Sequence, residues 1–246
     1  MKIRRRNRRN LNPRDRIREL IPEVTNGDVG LISEALTMSM TSPERMWALL
    51  QAIRYLEENQ IQGDFVECGV WRGGSSFLMA KALRALGRED RTLWLFDTFD
   101  GMVEPTEKDT TFDGHAAEVL LERDQDKRET SHIWAIASEA EVQANMARSG
   151  YPMNRINLVK GDVRSTLGEG VFRSVALARL DTDWYESTKH ELEVLMPLMA
   201  SGGIVIVDDY GHWSGSKQAV DEWLREASWK PLVSRIDYTG RLWVMP

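Results

Sequence analysis

Residues 63–76 read GDFVECGVWRGGSS, and the rest of the chain has to be arranged around them. Phe65, Val66 and Cys68 make a short apolar run of the kind that forms a buried strand, and Phe77, Leu78 and Ala80 open a helix after it. Between them Gly69, Gly73 and Gly74 lack a Cβ, so the backbone can turn sharply and let a ligand come close. The start of the following helix offers unpaired N–H groups and a positive dipole end. At the carboxyl end of a parallel strand, such a turn is where open α/β sheets bind nucleotide-like ligands. An ordinary strand–turn–helix of some other α/β protein fits the glycines equally well.

The spacing is Glu-x-Gly-x-x-x-Gly-Gly rather than the dinucleotide fingerprint G-x-G-x-x-G. An acid, Glu67, stands where a pyrophosphate would be repelled. A second acid, Asp97, ends the next apolar run in LWLFDTFDG. Two carboxylates at neighbouring strand ends suit an amino group and a ribose diol. That combination favours S-adenosylmethionine (SAM), which is cationic at its amino and sulfonium groups.

From Asp64 onward strand and helix patterns alternate, which predicts a mostly parallel sheet covered on both faces. Strands are expected at about Phe65–Cys68, Thr92–Phe96, Ile156–Val159, Val175–Leu180 and Gly203–Val207. Helices are expected at Ser75–Leu86, Glu139–Arg148, Glu186–Met199 and Ser214–Ala227. The end, LVSRIDYTGRLWVM, reads as a hairpin turning at Tyr238-Thr239-Gly240, which adds an antiparallel edge. Ahead of the first strand, Thr41 and Glu44 stand at capping-box spacing around Pro43, and Met46, Leu49, Leu50, Ile53 and Leu56 follow at helical spacing. Ser138 and Glu141 repeat the capping spacing. The chain therefore divides into a basic tail and helical extension over 1–40 and one α/β domain over 41–246. Within the latter, 102–137 is a long polar insertion beside the second strand end, read as a substrate lid or as a plain surface excursion. His115 and His132 lie in it, and each is either a substrate contact or a solvated side chain.

Composition narrows the partners. A chain of 246 residues, 42% hydrophobic and 28% charged, is that of a water-soluble globular protein with a sizeable core. The net charge of −6 argues against nucleic acid, although Arg4, Arg5, Arg6, Arg8 and Arg9 make one basic run. Such a run is a solvated tail or a contact for an anionic partner or neighbouring subunit. No apolar stretch reaches the length of a membrane span, and no h-region follows the basic start. The single cysteine, Cys68, excludes an internal disulfide and points to packing in a reducing, cytoplasmic setting.

Two more strand ends carry acids. LARLDTDWYES brings Asp181 and Asp183, and GGIVIVDDYGHW brings Asp208 and Asp209. In a parallel sheet these ends share an edge, and four bare anions there would raise one another's pKa values. A hard divalent cation with oxygen ligands, Mg2+, relieves that repulsion, whereas no histidine–cysteine set for zinc exists. Caps and turns are the other use of Asp at such positions, and Asp209-Tyr210-Gly211 fits a turn.

Together, GDFVECGVWRGGSS, LWLFDTFDGM, ASEAEVQANMARSG and LDTDWYESTKHELEVLMPLMASGGIVIVDDYGHW resemble the TylF/MycF (macrocin O-methyltransferase) family, over nearly all of Met40–Trp243. The resemblance implies a class I SAM-dependent methyltransferase, Rossmann-like, with an N-terminal helical extension. It also implies a SAM- and metal-dependent enzyme that methylates a sugar hydroxyl on a small metabolite or glycan, and a homo-oligomer. By position it implies Asp181, Asp208 and Asp209 as metal ligands and Asp183 as base, Asp181 also sharing in catalysis and cofactor contact. Glu67, Gly69, Arg72, Gly73 and Ser75 match the methionine-end loop, Asp97 and Thr98 the ribose pair, and Ser138, Gly161, Asp162 and Val163 the adenine side. Asp162 stands where some relatives have an aromatic, so hydrogen bonding to the adenine amino group replaces stacking there. Three rivals remain at this point: a catechol-type O-methyltransferase, a nucleotide-dependent oxidoreductase and a non-catalytic SAM-binding protein.

Overall fold

The computed structural model describes residues 12–168, 170 and 172–246, so the arginine run at 4–9 lies outside the described residues. Ahead of the sheet come α1 (Pro13–Leu20), α2 (Asn26–Ala35) and α3 (Pro43–Glu58). Next are β1 (Asp64–Cys68), α4 (Gly74–Ala85), β2 (Leu93–Asp97), α5 (Ala117–Arg123) and α6 (Glu139–Ser149). They are followed by β3 (Ile156–Lys160), the single turn α7 (Val163–Thr166), β4 (Val175–Leu180) and α8 (Tyr185–Leu195). Finally come β5 (Met199–Val207), α9 (Ser214–Glu226), β6 (Ser234–Arg235) and β7 (Arg241–Val244).

The strands form one seven-stranded sheet in the order β3-β2-β1-β4-β5-β7-β6. β1 to β5 are parallel, and the C-terminal hairpin pairs antiparallel to β5. Both faces are covered, as near-continuous apolar strands require. Along β1, Phe65 packs toward α2, α3 and α4, while Val66 and Cys68 pack with Leu192, Val220 and Trp243 on the other face. Ile17 and Ile32 of α1 and α2 are fully buried in the first of these clusters, so the N-terminal helices extend the sheet's own core. Cys68 is buried there as packing, with its thiol pushed well up by burial.

Register positions the site. Cys68 pairs with Phe96 on one side and Leu180 on the other, Leu180 pairs with Val207, and Phe96 with Val159. Gly69, Asp97, Asp181 and Asp208 therefore emerge together along one rim. Backbone hydrogen bonds stitch that rim: Gly69 N–H to Phe96 O at 2.9 Å, Asp181 N–H to Cys68 O at 2.8 Å and Asp208 N–H to Leu180 O at 2.9 Å.

Several local expectations need correcting. The N-cap of α3 is Ser42, whose side chain accepts from Arg45 N–H at 3.1 Å, and not Thr41. Thr41 turns instead toward Asp208. Ser138 does cap α6, but the reciprocal half of the box does not form, because Glu141 pairs with Arg72 at 3.2 Å. The helix expected to Met199 stops at Leu195, since Pro197 tightens the next turn, and β5 starts at Met199 rather than Gly203. A register shift between Val175 and Leu177 accommodates the longer strand.

The insertion is built into the body of the domain. It carries α5, and fully buried Asp109 accepts from Thr106 N–H at 2.7 Å and from Tyr185 N–H at 2.8 Å. Asp109 thus serves the otherwise uncapped start of α8. Ala117 and Leu121 pack with Trp184 and Trp213 in a third cluster.

Candidate active site

A cavity of about 740 Å³ opens over the carboxyl ends of β1 to β5. On its first side, Gly69 has φ +82°, and a Cβ there would meet the Asp181 carbonyl oxygen at 2.0 Å. Only glycine lets the turn lie against β4. Asp97 then fixes the turn: its carboxylate accepts from Val70 N–H at 2.7 Å, Trp71 N–H at 2.9 Å and Phe99 N–H at 2.7 Å. Burial pushes its pKa up, and these donors oppose the shift. Trp71 and Phe99 take left-handed φ of 48° and 51°, backbone strain placed beside the cavity. Thr98, Gly161, Asp162 and Val163 also reach the wall. Asp162 caps α7 and pairs with Arg164, an arrangement that holds its carboxyl below the usual range.

Other residues singled out in the sequence sit behind this wall. Glu67 is only 1% exposed and is committed to Arg179 and Ser76. Gly73 begins α4 in a left-handed conformation, Ser75 is buried within α4, and Arg72 is engaged with Glu141. Ser138, the cap of α6, is exposed and outside the cavity lining. Of the two histidines, His132 lines the cavity, whereas His115 is exposed beside Asp113.

The second side is acidic. Asp181, Asp208 and Asp209 each present an oxygen within 4.8 Å of the others. Asp183 joins them with φ +67°, rare for a residue with a side chain, and its N–H donates to Asp209 Oδ2 at 3.2 Å. Two arginines answer this charge. Arg179, buried in β4, lies 2.6 Å from Glu67, 2.6 Å from Asp181 and 2.8 Å from Asp208. Arg45, entering from α3, pairs with Asp208 and, at 3.0 Å, with Asp237.

Six carboxylates, Glu67, Asp181, Asp183, Asp208, Asp209 and Asp237, against two guanidiniums leave an excess of negative charge on this rim. Burial, reinforced by neighbouring carboxylates, drives Asp181 and Asp209 well above the ordinary range. The same causes lift Asp183 to about 7. Asp208 Oδ1 is buried with no hydrogen-bond donor, because Arg179 approaches it off the required line. A buried carboxylate oxygen that meets Arg179 as an ion pair but without an aligned hydrogen bond, in an all-oxygen set of three acids, fits a hard divalent cation such as Mg2+.

Arg179 and Arg45 were missed in the sequence, although a signal for the first exists. Glu67 and Arg179 are the charged residues inside two apolar strands, and they are register partners. Trp213 and His212, which also line the cavity, stand in a turn with no periodicity to mark them.

The sheet order, the glycine turn and the acidic rim define a class I SAM-dependent methyltransferase. The O-methyltransferase NovP has this architecture at a TM-score of 0.73 and 33% identity, covering 85% of this chain and 82% of that one. The calicheamicin methyltransferase CalS11 shares the fold at a TM-score of 0.62, with 19% identity and coverage of 94% and 91%. The chain belongs to the macrocin O-methyltransferase (TylF) family, whose model matches residues 9–245. It is 35% identical over 205 residues to the 8-demethyl-8-(2,3-dimethoxy-alpha-L-rhamnosyl)-tetracenomycin-C 4'-O-methyltransferase of Streptomyces olivaceus, covering 83% of this chain and 74% of that protein. It is 33% identical, with the same coverage, to the demethyldecarbamoylnovobiocin O-methyltransferase of Streptomyces niveus. The protein is thus an SAM-dependent O-methyltransferase. Among the described residues no helix is long and apolar enough to cross a membrane.

Proposed function

We propose that this enzyme methylates a hydroxyl of a sugar carried by a small molecule or glycan, with Mg2+ as a second cofactor. The observation that carries the reading is the triad Asp181, Asp208 and Asp209, gathered within 4.8 Å on the same rim as the Gly69 turn. A relative of known name acts on a rhamnosyl group, which supports a sugar acceptor over a catechol.

SAM supplies the electrophilic methyl group, and a divalent cation supplies positive charge that lowers the pKa of a sugar hydroxyl. The residues divide the remaining work. Asp181, Asp208 and Asp209 hold the cation, and Asp181 also borders the SAM-binding turn through the Gly69 contact. Asp183, whose N–H donates to Asp209 and whose carboxyl belongs to the same rim, receives the acceptor proton. Asp97 and Thr98 serve the ribose, and Gly161, Asp162 and Val163 the adenine side. Glu67 orients Arg179 from behind rather than facing the donor. Arg72, Gly73 and Ser75 shape the start of α4 beneath the methionine end, and Ser138 shapes α6. A homo-oligomer in the cytoplasm completes the reading, consistent with one buried, reduced Cys68.

The test is transfer of labelled methyl from SAM to rhamnosides bearing free vicinal hydroxyls, with Mg2+ or with EDTA. Transfer to the sugar that EDTA abolishes supports the proposal. Transfer only to a catechol, or transfer indifferent to EDTA, rejects the acceptor or the metal respectively.

A further inference from the structure

Glu191, on α8, is fully buried and has no part in the chemistry described so far. Its Oε1 accepts from the Thr182 hydroxyl at 2.8 Å, while its Oε2 has no hydrogen-bond partner. It lies outside the cavity lining, whereas Thr182 is part of the wall. A buried polar atom left unsatisfied costs stability, and an apolar side chain of the same length would fill the space without that cost. Packing alone therefore does not account for a carboxyl at this position. Burial drives its pKa well above the ordinary range, against the pull of the Thr182 hydroxyl and with the push of Asp209. Glu191 thus serves as a hydrogen-bond acceptor and adds little further negative charge beneath a rim already crowded with it.

The residue it holds is the middle of a strained turn. Thr182 stands between Asp181 and Asp183. Asp183 takes the left-handed φ of 67° and donates its N–H to Asp209 Oδ2 at 3.2 Å. A residue with a side chain keeps such a conformation only where its surroundings over-determine it. Backbone bonds fix the turn at each of its three residues. Asp181 N–H donates to Cys68 O at 2.8 Å, Thr182 O accepts from Trp184 N–H at 2.8 Å, and Asp183 N–H reaches Asp209. The Ser187 hydroxyl adds a longer contact to Thr182 O at 3.3 Å. The Thr182 side chain supplies a further tie, which crosses from the rim to the body of α8. Two of the three acids gathered within 4.8 Å, Asp181 and Asp209, are joined through this turn. Groups that orient ligands from behind in this way tune how well a metal site holds its ion.

We propose that Glu191 is a positioning residue, which pins the Asp181–Asp183 turn through the Thr182 hydroxyl and so sets the spacing of the metal-binding carboxylates. The inference rests on the reading of Asp181, Asp208 and Asp209 as the cation site.

The test titrates the chelator-treated full chain with Mn2+, followed by the electron paramagnetic resonance signal of the free ion. Calorimetry with S-adenosylhomocysteine and a melting curve accompany each variant. Glu191→Met keeps the length of the side chain and removes the acceptor, and should weaken Mn2+ binding by about tenfold. Thr182→Val removes the donor and should cost about as much. The double variant should cost no more than either, about tenfold and not a hundredfold, because one hydrogen bond is being removed. Glu191→Gln, which keeps an acceptor without a charge, should stay within about twofold of the unaltered chain. S-adenosylhomocysteine affinity should hold within about twofold throughout, and Glu191→Met should not lower the melting temperature. Mn2+ binding untouched by Glu191→Met overturns the proposal, as do losses that add in the double variant. A Gln variant as weak as the Met variant overturns it too, since charge would then be the cause. Equal losses of Mn2+ and S-adenosylhomocysteine affinity, with a lowered melting temperature, would reduce Glu191 to packing. Each of these results leaves the cation site standing, whereas an unaltered chain that binds no Mn2+ overturns both.

Discussion

Asp97 closes β2 and Asp208 follows β5 on the same rim, yet the two acids live under opposite conditions. Asp97 receives three backbone N–H groups, and its side of the cavity is complete as it stands. Asp208 sits among other carboxylates, is held by two arginines and keeps one oxygen without a donor. One side is organised by backbone before any ligand arrives. The other is crowded with carboxylates, offset by two guanidinium groups and by pKa values that burial and like charges push up. Preorganised donors cost nothing to reuse at each turnover, whereas a surplus of buried charge creates a strong demand for one kind of guest.

The sharpest break in that contrast is Asp208→Asn, which keeps the shape and removes the charge. Methyl transfer should fall by about a thousandfold or more, while SAM affinity measured by calorimetry stays within about twofold. Comparable losses in both would mean the two sides are not separable. Gly69→Ala attacks the other side: a positive φ and a Cβ driven onto the Asp181 carbonyl should together cost about 3 kcal/mol of stability, read from denaturant midpoints. An unchanged midpoint would show that the turn has room the geometry denies.

Arg45→Gln sharpens the comparison. Removing a guanidinium that shares Asp208 should tighten Mn2+ binding by about tenfold, followed by titration of the chelator-treated protein. Weaker binding would make Arg45 a helper of the ion rather than its competitor. The smallest effect is on the pH dependence of melting in EDTA. A carboxyl whose pKa rises to about 7 on folding contributes stability that is complete below its unfolded value and is lost as pH rises toward 7. The melting temperature in EDTA should therefore fall from about pH 4 to 7, by roughly 2–4 °C for each kcal/mol lost. Mg2+ should flatten that slope, and Asp183→Asn should reduce it.

The fold was legible because its signals are local. Apolar runs such as VALARL, and the helical spacing of Met46 to Leu56, report burial directly, and the register follows from pairing the runs. The acids at 181, 183, 208 and 209 stand out in the sequence because Asp181 and Asp208 immediately follow such runs and the other two come within two residues. What escaped depends on contacts between distant segments. Glu67 reads from the sequence as a ligand contact, and its pairing with Arg179 across the sheet leaves no local trace there. Thr41 and Ser42 are equally good caps on paper, and Asp208 and Asp237, more than 160 residues away, decide between them. Asp109 reads as one polar residue of a polar insertion, although it is the anchor at the start of α8.

The alignment of Cys68, Phe96, Leu180 and Val207 in one row of the sheet has a bearing on how such an enzyme can change. Because the Gly69 turn and the acid cluster are both measured from that row, a slip of any one strand would move one against the other. Novelty in the molecule it decorates is left to the segments that reach over the rim, the insertion around Phe112, the approach to α3 and the hairpin at Tyr238. Their tips can change while Arg45 and Thr239 keep their hold on Asp208.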